Sequence, residues 1–340
     1  MRVFDLVTWR LAMLLASDST NGTCLRGLDL FCGVGGSSRG ATLAGVEMVA
    51  AIDIWKLAKE SYRDNFPTAR FYETACEDLE PAEIRKEVGD IDVLLASPEC
   101  TSHTCAKGSA RRSEKSRETA FQVTRFAECF LPRWIIVENV VHMRSWRRYA
   151  SWIKSLRHIG YSIRQQVLNA ADFGVPQSRR RLFIICDRLA EPPLIKPTSR
   201  IRRSASTIID KTTIYPMSPL KHPRRAKATL ARASRAIDEL GAPEQFLIVY
   251  YGSDAAGGWQ KIESPLRTIT TLDRFAYIQR DVDDYSMRML QVPELKRAMG
   301  FGADHLLDHG TRRDKIKLLG NAVCPPVMRA LVRQLTGTSR

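Results

Sequence analysis

Long apolar runs are missing: nowhere in the 340 residues does one approach the ~20 residues that a membrane-spanning helix needs. The early stretch Val7-Thr8-Trp9-Arg10-Leu11-Ala12-Met13-Leu14-Leu15-Ala16 is broken by Arg10, so it reads as a helix or extension and not as a signal peptide. The eight cysteines, at 24, 32, 76, 100, 105, 129, 186 and 324, form no C-x-x-C pair. Several lie within apolar strand-like runs, where a reduced thiol packs well, which excludes a standard structural zinc site and predicts a reducing cytoplasm. There is no internal repeat at solenoid or propeller spacing. Acidic residues are scarce as well: 37 Asp and Glu stand against 52 Lys and Arg, a formal charge of +15. That excess creates a field that draws phosphates, so a polyanionic partner is expected, nucleic acid ahead of an anionic membrane.

What is present is a chain long enough for one large domain and a smaller one. From residue 27 to about 187, short apolar runs alternate with helix-length amphipathic segments. This is the pattern of a largely parallel sheet with helices on both faces. Strands are predicted at 27–31, 48–52, 93–96, 134–137, 162–168 and 181–186, and helices near 37–44, 56–65, 118–130 and 147–158. The composition then changes. Residues 188–236 carry twelve Lys and Arg but only Glu191 and Asp210. So little apolar content predicts a surface or an extended recognition region without a core of its own. Strand signals return at 245–251 and 266–271, which places a small irregular second domain at about 188–287.

The segment Leu28-Asp29-Leu30-Phe31-Cys32-Gly33-Val34-Gly35-Gly36-Ser37 runs a strand through a glycine turn into a helix. Such a turn lets backbone approach a nucleotide-like ligand closely. A dinucleotide enzyme would have a third glycine at 38, where this chain has Ser38. Asp53, ending the second strand, is a candidate for hydrogen bonding to both ribose hydroxyls. Taken alone, Gly33, Gly35 and Gly36 also fit a tight turn without a ligand, and Asp78 fits a solvated loop as well as an adenine amino group.

Five later segments change the reading. They are Ser97-Pro98-Glu99-Cys100-Thr101-Ser102-His103-Thr104; Ile135-Ile136-Val137-Glu138-Asn139-Val140; Phe173-Gly174-Val175-Pro176-Gln177-Ser178-Arg179-Arg180-Arg181-Leu182-Phe183; Arg288-Met289-Leu290 with Glu294 and Met299-Gly300-Phe301; and Gly320-Asn321-Ala322-Val323. Together with the glycine turn, and in this order, they resemble the motifs of the DNA (cytosine-5) methyltransferases. The resemblance implies an α/β fold, a Rossmann-like S-adenosylmethionine-dependent methyltransferase domain with a smaller inserted target-recognition domain. The expected division is an N-terminal extension at 1–24, a catalytic domain at 25–187, target recognition at 188–287 and a C-terminal segment at 288–340 that completes the catalytic domain.

Carbon 5 of cytosine is a poor nucleophile, so a thiolate must first add to carbon 6. The resemblance assigns that thiolate to Cys100, with Glu138 at nitrogen 3 and the amino group and with Arg179 and Arg181 as cationic donors around the ring. It assigns S-adenosyl-L-methionine to Phe31, Gly33, Gly35, Gly36, Asp53, Ile54, Asp78 and Asn321, with no metal. Each residue has a blander reading: a buried cysteine is usually packing, and Arg179 to Arg181 alone would be a solvated charge run. The spacing of Glu99, His103 and Cys105 fits no standard zinc site. The family usually has Pro before the nucleophile and Gln after it, where this chain has Glu99 and Thr101. A carboxylate beside a thiol raises the thiol's pKa unless it points away or pairs with an arginine.

A target cytosine must leave the duplex to expose carbon 6. The loop bearing Lys107, Arg111, Arg112, Lys115 and Arg117 is suited to close over it, or to be a solvated loop. Double-stranded DNA is therefore the expected partner of a cytoplasmic monomer, and a cognate restriction endonuclease a further one. The alternatives are a tRNA cytosine-5 methyltransferase and a DNA-binding homologue without catalysis.

Overall fold

The structure, a computed structural model, describes residues 24–98, 119–210, 214–250, 258–282 and 284–338. Cys100 with its neighbours Glu99 and Thr101, the basic loop that follows, and all of the N-terminal extension but Cys24 lie outside the described residues. Seven strands, β1 (Leu25–Leu30), β2 (Val46–Ile52), β3 (Arg70–Tyr72), β4 (Val93–Ala96), β5 (Trp134–Asn139), β6 (Ser162–Asn169) and β7 (Arg180–Asp187), form one sheet in the order 3-2-1-4-5-7-6. β3, β2, β1, β4 and β5 are parallel, while β7 enters antiparallel between β5 and β6. The strand order reverses between β1 and β4. In open α/β sheets the crevice for a ligand opens at such a point, beyond the carboxyl ends of the strands.

The central strands are continuous apolar runs because both faces are covered. Leu28, Leu30, Leu94, Ile135, Val137, Leu182 and Ile184 meet α3 (Pro81–Val88), α4 (Ala120–Phe130) and α5 (Tyr149–His158). Val93, Leu95, Ile136, Phe183 and Ile185 face α1 (Gly36–Thr42) and α2 (Lys56–Asn65). Tyr149, Trp152, Ile153 and Leu156 form one buried stripe along α5, the spacing of a helix lying on a sheet.

A second sheet, antiparallel throughout, contains β8 (Ser218–Pro219), β9 (Gln245–Val249), β10 (Trp259–Gln260), β11 (Phe275–Arg280) and β12 (Tyr285–Met289) in the order 10-9-11-12-8. Its alternation separates two cores. Phe246, Ile248, Ala276, Ile278, Tyr285 and Met287 pack with Ala233 and Ala236 of α6 (Lys227–Leu240). Leu247, Val249, Phe275 and Tyr277 turn the other way, into the core shared with α1 and α2. The second region is thus a regular five-stranded sheet with a covering helix, and a boundary at 287 falls inside β12. The strand predicted at 266–271 does not form. Only an isolated bridge joins Leu266 to Gln177.

The C-terminal part returns to the first sheet through α7 (Val292–Ala298), α8 (Arg312–Asn321) and α9 (Pro325–Thr336). Arg288 on β12 grips Glu294 of α7 through two 2.7 Å hydrogen bonds, both side chains buried. Such a bidentate pair keeps its geometry where water cannot compete. α9 crosses α1 closely enough that a Cβ on Gly40 would lie 2.6 Å from the Pro325 carbonyl oxygen. Among the described residues no helix is long and apolar enough to cross a membrane.

Candidate active site

The three glycines of the first turn serve three different ends. Gly33, at φ 51°, faces open space, and its N–H donates to Asp53 Oδ2 at 2.9 Å. Gly35, at φ 81°, lies against the rings of Phe66 and Tyr62, where a Cβ would come within 2.6 Å of Phe66. Gly36 leaves no room for a side chain: its Cβ position is taken by the Val323 carbonyl oxygen. This glycine, expected at the cofactor, also admits the C-terminal segment to the turn. Phe31 adopts φ 58°, a left-handed conformation that a bulky residue keeps only where its surroundings demand it.

Asp53 closes the turn. Its Oδ1 accepts from the Trp55 N–H at 2.9 Å while Oδ2 accepts from Gly33, so both oxygens are oriented by backbone. Burial pushes this carboxyl upward, and the N–H groups of Trp55 and Gly33 pull it back. Next to it Ile54 is 72% exposed, an apolar side chain left to solvent beside an oriented carboxylate. Asp78, at the end of a short turn of helix over Cys76–Asp78, is also exposed. Asn321 is exposed at the end of α8, just after Gly320, whose own Cβ position is blocked by the Thr270 carbonyl at 2.3 Å.

Glu138 and Asn139 end β5 and leave on opposite faces. Glu138 is buried, with Oε1 3.0 Å from Arg181 Nε across the β5–β7 pair. Burial raises its pKa, and the charges of Arg181 and Arg179 oppose that rise. Asn139 donates through Nδ2 to the Pro98 carbonyl at 3.0 Å, and its Oδ1 accepts from the Val140 N–H at 2.8 Å. Ser97 N–H donates to the Leu30 carbonyl at 3.1 Å. The chain leading to Cys100 is thereby tied to β1 and β5 two residues before the cysteine.

Gln177, Arg179 and Arg181 alternate with Ser178 and Arg180, which puts the three on one face. The two arginines are placed differently. Arg179 is 3% exposed and donates to the carbonyls of Ile269, Gly320 and Ala322 at 3.0, 2.8 and 3.1 Å. It joins three distant segments, and its charge acts on Glu138 from there. Gln177 does similar work, donating to the Ala298 carbonyl at 3.1 Å and accepting from the Ile269 N–H at 2.9 Å. Arg181 alone is paired with Glu138. Glu138, Arg179 and Arg181 together line one cavity, with room for about one water, whose remaining wall includes Phe183, Val323 and Cys324. Burial pushes the Cys324 thiol in its wall up to about 11, so it stays protonated.

Residues 25–337 match the family described as C-5 cytosine-specific DNA methylase. The chain belongs to that family. It is 31% identical over 197 residues to the Type II methyltransferase M.DdeI of Desulfomicrobium norvegicum, covering 54% of this chain and 46% of that one. It is 25% identical to M.HindV of Haemophilus influenzae over 305 residues, 87% of this chain and 91% of the relative. The chain thus spans about half the length of M.DdeI and of several other curated relatives, such as the 39% matched in M.AgeI. Two solved structures share the fold at 18% identity: a Spodoptera frugiperda DNMT2 mutant, TM-score 0.68, with 92% of this chain and 99% of that one covered, and a putative DNA modification methyltransferase of an E. coli prophage, TM-score 0.66, with the same coverage. The Rossmann-like methyltransferase fold expected from the motifs is the fold observed.

Three residues of the site were not singled out from the sequence. Asn139 carried a signal, an amide ending an apolar run just after Glu138. Asp29 carried another, a carboxylate inside the apolar run of β1. His305 carried none. It lies buried with Nε2 3.1 Å from the Val34 carbonyl, and burial lowers its pKa to about 4, so the ring is neutral where it meets the glycine turn.

Proposed function

We propose that the protein transfers a methyl group from S-adenosyl-L-methionine to carbon 5 of a cytosine in double-stranded DNA, through a covalent bond to Cys100. The observation that carries this reading is the edge shared by β4 and β5. Glu138, buried and paired with Arg181, projects there beside a chain that Asn139 holds by the Pro98 carbonyl. The donor residues fit a nucleoside: Gly33 opens to space, Asp53 is an oriented acceptor, and Ile54 offers an exposed apolar surface.

In this reading the Cys100 thiolate adds to carbon 6, and the electron pair moves to carbon 5. Burial favours a proton on Glu138, which donates to nitrogen 3 as negative charge develops in the ring. The donor supplies an electrophilic methyl group on a sulfonium. A base then takes the carbon 5 proton, Glu138 takes back the proton from nitrogen 3, and elimination of the thiolate restores the aromatic ring. Residues 188–289, which include all of β12, would read the target, with the Lys and Arg of this segment on the phosphates.

Genomic DNA from cells expressing the protein, sequenced for 5-methylcytosine, gives the target. A duplex with 5-fluorocytosine at that position should then trap the wild type, because fluorine cannot leave as a proton does. Cys100→Ser should lose both the trapped band and methylation, and Cys105→Ser should keep both. Equal trapping by Cys100→Ser, or methylation of tRNA without methylation of DNA, would overturn the proposal.

A further inference from the structure

Beneath the glycine turn lies a carboxyl group that neither the fold nor the steps above use. Asp29 alternates with Leu28 and Leu30 along β1, so its side chain leaves the sheet toward α1 and α2. It is fully buried. Its partners in register on the flanking strands are Ala51 and Leu95, ordinary core residues. Oδ2 accepts from Ser38 Oγ at 2.6 Å, and that hydroxyl lies 2.8 Å from the Tyr62 hydroxyl, also fully buried. Oδ1 has no hydrogen-bond partner among the described residues.

A buried carboxyl is expensive, and the usual compensation is a cation. Here the charged and titratable groups around it are Asp53 at the end of β2, Cys32 in the turn and Tyr62 from α2. None is a cation. Burial brings Asp29 up to about 7, Ser38 pulls it down through its hydroxyl and backbone, and Asp53 pushes it further up. A fully buried carboxyl and a half-buried one under one open turn make a place that attracts positive charge.

We propose that Asp29, together with Asp53, supplies the field that selects the cationic sulfonium of the methyl donor over the neutral thioether left after transfer. Asp29 acts here as a specificity-determining group at a distance, not as a contact. The proposal rests on S-adenosyl-L-methionine being the donor. It gives the product a reason to leave, since the attraction vanishes with the methyl group. It also couples donor binding to a proton, because a cation in the turn favours the ionised form of Asp29.

Calorimetric titration of the full chain with S-adenosylmethionine and with S-adenosylhomocysteine, in buffers of different ionisation heat, tests this. The ratio of donor to product affinity should rise about tenfold between about pH 6 and about pH 8.5, with proton release near neutrality on binding the donor only. Asp29→Asn should flatten the ratio and abolish the release. Ser38→Ala, which removes a bond that favours the ionised form, should move the midpoint to higher pH, and it carries the test if Asp29→Asn does not fold. A flat ratio in the wild type, an unchanged rise in a folded Asp29→Asn, or an unmoved midpoint in Ser38→Ala would overturn the proposal. Failure of the wild type to bind either ligand would instead defeat the donor reading.

Discussion

At the carboxyl edge of the seven-stranded sheet several residues are held by distant parts of the chain, whereas the outer helix of the five-stranded sheet turns its charged side to solvent. Gly36 receives the Val323 carbonyl, Arg179 holds Ile269, Gly320 and Ala322, and His305 meets Val34. On α6, by contrast, Thr229, Ala233 and Ala236 are buried while Lys227 and Arg235 are exposed, and Lys221 and Arg224 are exposed on the strap before it. The first region is fixed by close contacts to backbone carbonyls, which narrow the choice of residue at each place. In the second the fold fixes only the small buried face, and the rest is constrained by the sign of its charge.

The largest effect should come from adding a single methyl group at the first region. Gly36→Ala would set a Cβ against the Val323 carbonyl, and neither backbone can yield without parting α1 from the start of α9. A loss of about 3 kcal/mol in urea unfolding is expected, against less than about 0.5 kcal/mol for Arg224→Gln on the strap. Equal midpoints for the two variants would break the contrast between the regions.

The same contrast explains what the sequence made legible. The strand at 93–96 was read at its observed bounds because all four residues of β4 are buried and apolar. β3 was missed, being three residues long with none fully buried. α6 was missed because its buried face consists of small residues whose apolar signal is lost among Lys and Arg. The 266–271 stretch misled for a different reason. Leu266 and Ile269 are buried, as their pattern suggested, but the backbone there bonds to Pro176, Gln177 and Ser178 instead of a ladder. Burial was readable and the partner was not. Likewise Glu138 and Asp53 could be named because chemistry restricts their type, while the carbonyls that occupy Arg179 have no sequence signature at all.

An intermediate effect is expected at Asp53, where fold and ligand share one carboxylate. Asp53→Ala removes two acceptors for backbone N–H groups, but it also removes a carboxyl that burial disfavours, so stability should change little. Affinity for S-adenosylmethionine should fall about tenfold or more by calorimetry, the scale of a hydrogen bond to a charged group. Asp53→Asn, which keeps one acceptor, should recover part of the loss. A folded Asp53→Ala that binds the donor as the wild type does would show that the turn is closed for structural reasons only.

The smallest effects belong to the exposed cations of the second region, and they sharpen the contrast because stability should not register them. If Arg224 and Lys227 each neutralise one phosphate, replacing either with Gln releases one counterion fewer on binding. The slope of log affinity against log salt should then fall by about one for each, with affinity for any duplex reduced only a few-fold and the methylated site unchanged. Unfolding midpoints should stay at the wild-type value, since both side chains are exposed. The measurement is duplex binding across a salt series with the methylated sequence and a scrambled one. A loss confined to the methylated sequence would make these residues readers of base edges instead of phosphate contacts. An unchanged slope in both variants would move the electrostatic contact off this face, toward the Lys and Arg that follow Cys100.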